Sequence, residues 1–169
     1  EIHKYQEESQ LSVENILHFF KLLKQNYNIN SESKLTYIEC IDLLKISKHL
    51  EVRKLVHEIN DYINKHNNEV DFMIEMIIYE TKTQKVTSES GKSINTEIEH
   101  FLSKKINECI TNEKFIEIPI SNIYRIIKQS QTNNIISDNL FDFIKKSMNK
   151  LCILFQFVDI SKLSEDRFS

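Results

Sequence analysis

Two apolar patterns of different width follow one another between Lys34 and Ile63, and they limit what the rest of the chain can be. At about 100° per residue in a helix, Tyr37, Cys40, Ile41 and Leu44 share one face while Leu35, Leu43 and Ile46 share another. A helix apolar on nearly every side has to be surrounded by other elements. After the break Ser47-Lys48-His49-Leu50, a second helix carries one stripe, Val52, Leu55, Val56, Ile59 and Ile63, at the spacing that faces a single partner surface. A central helix with a one-sided neighbour is a core that other helices must complete.

The turn chemistry agrees with helices. In 169 residues there is one Gly, one Pro and no Ala. An all-β chain would lack turn residues, and Gly91 alone cannot build a glycine-rich phosphate loop. The common nucleotide-binding folds are thereby excluded. A net charge of −3 argues against general nucleic-acid binding, which draws affinity from surplus positive charge. No run of about 18 apolar residues is present to span a membrane. Cys40, Cys109 and Cys152 are far apart, odd in number and set in apolar helical contexts, the usage expected of buried thiols in a reducing compartment. The expected location is the cytoplasm, with the nucleus as the other compartment of that kind.

Taken in order, the chain begins with a charged, irregular Glu1–Ser9. Ser12 then caps a helix from Val13 whose apolar face is read as Val13, Ile16, Leu17, Phe20 and Leu23, with Phe19 at its edge. Tyr27 and Ile29 alternate with Asn and predict a short strand near 27–29. Beyond the polar run Asn64–Asn68, a helix over about Val70–Thr81 carries Val70, Met73, Ile74 and Ile77 on one side and Phe72, Met76 and Tyr79 on the other. The second stripe is either buried or a docking surface, and Phe72, Met76 and Tyr79 are the candidate partner contacts. Residues 82–93 are polar and predict a mobile loop. The capping box Thr96-Glu97-Ile98-Glu99 starts the next helix. Phe115–Ile120 reads as an extended passage around Pro119, Ser121 caps a short helix, and one long C-terminal helix carries Leu140, Phe141, Ile144, Met148, Leu151, Cys152 and Phe155. The expected fold is all-α or predominantly so, with about eight helices in two lobes, 1–66 and 67–169.

Candidate chemistry is sparse. His57 and Asp61 stand at i, i+4, where two metal ligands could share a face, yet no third ligand is visible and the pair reads as solvated. Glu97 and Glu99 sit where acids favour a helix start. Lys104-Lys105 and Lys145-Lys146 read as solvated helix faces beside Glu99, Glu108 and Asp142. No catalytic, cofactor or metal site is expected, and the chain reads as non-enzymatic.

The order of elements resembles the C-terminal half of a BTB (POZ) domain. Leu11-Ser-Val-Glu-Asn-Ile-Leu-His-Phe-Phe, then Tyr27-Asn-Ile-Asn, then the helix pair from Tyr37 match it, with Leu44, Leu50, Val52 and Leu55 in apolar slots and Ser47 where Ala is usual. Val70 to Phe157 is similar to a BACK-like helical extension. The whole looks like the segment ahead of ankyrin repeats in a family of parasitic-protist proteins, through Leu151-Cys-Ile-Leu-Phe-Gln-Phe-Val-Asp and Lys162-Leu-Ser-Glu-Asp. The resemblance implies an adaptor or scaffold that meets a cullin-type ubiquitin ligase subunit or a second copy of itself. Glu1–Ser169 itself contains neither the BTB strands and helices that build most of such a dimer nor an ankyrin repeat, and both ends read as cut from a longer chain. A structural component of a cytoskeletal or axonemal assembly, bound to cytoskeletal proteins, is the alternative class, and a helical nucleic-acid binder the third.

Overall fold

In the computed structural model the described residues are 13–24, 29, 34–83, 91–130 and 135–167. Among them stand nine α-helices and no strand: α1 Val13–Lys24, α2 Tyr37–His49, α3 Arg53–His66, α4 Val70–Thr83, α5 Gly91–Lys104, α6 Ile106–Thr111, α7 Ile120–Ser130, α8 Ser137–Lys146 and α9 Met148–Leu151. The all-α expectation holds. Of the strand expected near Tyr27–Ile29, only Ile29 is described, and it lies outside any helix. The chain divides into two compact units, Glu1–Asn67 and Asn68–Ser169.

In the first unit α2 packs against both α1 and α3, and it is buried at Tyr37, Cys40, Leu43, Leu44, Ile46 and Ser47. Thr36 and Glu39 close a capping box: Thr36 Oγ1 accepts from the Glu39 amide at 3.2 Å, and Glu39 Oε2 accepts from the Thr36 amide at 2.7 Å. The α2–α3 corner turns on Glu51, whose φ of 58° is left-handed. Glycine would be the usual residue there, and this chain has spent its only one elsewhere. Bonds from Leu50 N to Ile46 O (2.9 Å) and Val52 N to Ser47 O (2.8 Å) hold the corner. The Tyr62 hydroxyl then ties α3 to the residue before α2's cap, accepting from the Leu35 amide at 3.0 Å.

The face α1 turns inward is not the one its periodicity suggests. Phe19 and Leu22 are each 1% exposed, whereas Ile16, Leu17 and Phe20 are 37%, 63% and 52% exposed. The helix has apolar residues on two overlapping stripes, and tertiary packing selects the shorter one.

The second unit has one continuous apolar core, running from Met73 and Ile74 through Ile98, Leu102, Cys109, Phe115, Ile118 and Ile127 to Leu140, Phe143, Leu151 and Leu154. Its middle is crossed by a non-α segment, a 3₁₀ turn at Glu113–Glu117 followed by extended Ile118 and Pro119. Phe115 and Ile118 are fully buried, and the Phe115 ring lies 5.4 Å from that of Phe143. Carbonyls in such a segment lack helical partners, and buried ones need others. Lys150 supplies them: its Nζ donates to Ile116 O and, at 3.0 Å, to Ile118 O. Pro119 has no N–H and so needs no acceptor, and its carbonyl starts α7 by accepting from Asn122 N at 2.9 Å and Ile123 N at 3.1 Å.

Two further boundaries differ from expectation. Helix α5 begins at Gly91, five residues ahead of the capping box read at Thr96, and α4 runs on to Thr83, so the segment expected to be a mobile loop is helical at both edges. Positions 84–90 lie outside the described residues. The single C-terminal helix is instead α8, α9 and a 3₁₀ segment, Cys152–Phe157, broken at Ser147, whose backbone sits at φ −148°, ψ 64°. The break turns Met148 and Cys152 outward and Leu151 and Leu154 inward.

Replacing Lys150 by Met keeps the aliphatic stem and strands the two carbonyls. It is expected to cost about 1–3 kcal/mol in urea unfolding, with Lys150→Arg closer to wild type. Equal stability of K150M and wild type would remove Lys150 from this role.

Candidate functional site

The groups most like enzyme machinery are two acidic side chains buried in the second unit, and both are occupied. Glu99 on α5 is 3% exposed. Its carboxylate accepts from Arg125 Nη2 at 2.7 Å, from Arg125 Nε at 3.0 and 3.1 Å, and from Asn122 Nδ2 at 2.8 Å, tying α5 to α7. The glutamate raises the Arg125 pKa further above its ordinary value, through the hydrogen bond first and the charge second. Glu99 was expected at a solvated helix start. The earlier beginning of α5 places it inside the helix, and its partners come from 23 and 26 residues away, a pairing that local pattern does not carry. Glu75 on α4 is 8% exposed and pairs with Lys114, while Asp71 accepts from Asn112 Nδ2. These contacts fasten α4 to the 3₁₀ crossing. Burying a carboxylate is tolerable only with such partners.

The remaining chemical candidates are placed as follows. His57 Nε2 lies 3.3 Å from Asp61 Oδ2 with both side chains well exposed, the solvated pair the spacing suggested. No group of three metal-ligating side chains occurs among the described residues. Lys105 pairs with Glu108 at 2.9 Å, and Lys145 Nζ sits 5.9 Å above the Phe141 ring. Cys40 and Cys109 are buried but Cys152 is exposed, which corrects the expectation of three buried thiols. Burial, helped by the charge of Glu108, pushes the Cys109 thiol up to about 12, away from any nucleophilic role near neutral pH. No helix among the described residues is long and apolar enough to cross a membrane.

Several large apolar side chains also face solvent. Three large side chains on adjacent turns of α1, Ile16, Leu17 and Phe20, form one exposed strip in the first unit. The three α4 candidates are not alike: Phe72 is 5% exposed, Met76 is half-buried and packs on the core of the second unit, and Tyr79 is half-buried. The second unit also has an open cleft of about 210 Å³ lined by Asn112, Glu113, Ile116, Phe143 and Lys146. Sequence reasoning found neither the strip nor the cleft. The strip was hidden by assigning its residues to the core, and the cleft forms only where the 3₁₀ crossing meets the end of α8.

Comparison with protein-family models, with curated proteins and with solved structures yields no match.

The thiols give a direct check of this layout. At pH 8 the native protein is expected to consume one equivalent of a thiol-specific disulfide reagent quickly, at Cys152, and the other two only on unfolding. Because the folded Cys109 thiol lies above its unfolded value of 9.0, its contribution to stability is complete below pH 9 and is lost as pH rises toward about 12. Three fast equivalents in the native protein would contradict the placement.

Proposed function

We propose that the chain is a non-enzymatic adaptor or scaffold module that binds protein through apolar helix faces, with the α1 strip as its principal contact. The observation that carries this reading is the exposure of Ile16, Leu17 and Phe20 on one helix, at 37%, 63% and 52%. Exposed apolar side chains gathered on one face are the material of interface anchors, and an amphipathic helix offered in this way is a common recognition element. Met76 and Tyr79 serve as a second, smaller contact beside Phe72. The likeness of the Leu11–Val56 pattern to the C-terminal half of a BTB domain directs the reading to a cullin-type ubiquitin ligase subunit as the partner, with the second unit positioning a substrate-recruiting segment. The same reading places the chain in the cytoplasm.

The test is a pull-down with full-length chain against a panel of cullin-type subunits, comparing wild type with the double variant Leu17→Asp, Phe20→Asp. Both positions are more than half exposed, so the variant should keep its melting temperature while losing at least about tenfold in recovery, the scale of two interface anchors. Unchanged recovery would overturn the α1 assignment. Absence of any cullin, together with stable co-purification of filament proteins, would favour the structural class instead.

A further inference from the structure

We draw no further inference here: the strongest candidate, the exposed apolar surface of the second unit at Met148, Cys152 and Ile153, where the chain leaves α9 for the 3₁₀ segment, carries none because nothing in the structure shows what covers it.

Discussion

The second unit depends on a stretch of backbone that abandons the α-helix in the middle of an apolar core. From Glu113 to Pro119 the chain makes a 3₁₀ turn and then extends, with Phe115 and Ile118 fully buried. Burying this stretch gains the contact of two large side chains, but it strips carbonyls of helical partners. Lys150 resolves the conflict by donating to Ile116 O and Ile118 O, and Pro119, which has no N–H, adds no donor that would itself need a partner. Helices α4 and α6 pack against the crossing. The Glu75–Lys114 and Asp71–Asn112 contacts then fix α4 to it from the polar side. The cleft exists because the crossing leaves a gap where it meets α8, so the same backbone choice creates the core and the candidate site.

The first unit solves a different problem with little glycine to spend. Its αα-corner puts Glu51 at a positive φ that glycine would adopt without steric cost. It recovers order through the Thr36–Glu39 capping box and the Tyr62 bond to Leu35. Among the described residues the central helix also packs against α1, which contributes Phe19 and Leu22 to the interior and leaves Ile16, Leu17 and Phe20 outside. Helix α1 is thereby left with one packed side and one apolar side that faces solvent.

How much of this was legible depended on whether a helix had one face to offer or two. In α3 a single stripe and in α2 an all-round apolar pattern left no choice, and both helices begin and end close to where the pattern places them. In α1 the residues Ile16, Leu17, Phe19, Phe20, Leu22 and Leu23 satisfy two helical stripes at once. Periodicity cannot choose between stripes that overlap; only the neighbour can. The capping pair Thr36 and Glu39 was present in the sequence as a three-residue spacing and could have been found. Glu99 could not, because its partners Asn122 and Arg125 are distant in sequence and nothing local distinguishes a buried glutamate from a solvated one. Ser147 likewise breaks a continuous apolar stripe with no Gly or Pro to announce it, and that break is what exposes Cys152.

The central claim is that the 113–119 crossing is locked, although it has few regular hydrogen bonds. Residue-resolved hydrogen exchange of the full chain tests it at the amides of Phe115, which bonds to Asn112 O at 3.1 Å, and Ile118, which bonds to Phe115 O at 3.3 Å. Bonds of this kind in a surface turn open readily. Here the account predicts opening free energies within about 1 kcal/mol of the Ile126 and Ile127 amides in α7, as expected of one cooperative unit. Exchange at Phe115 and Ile118 near the unprotected rate, with α7 still protected, would contradict it.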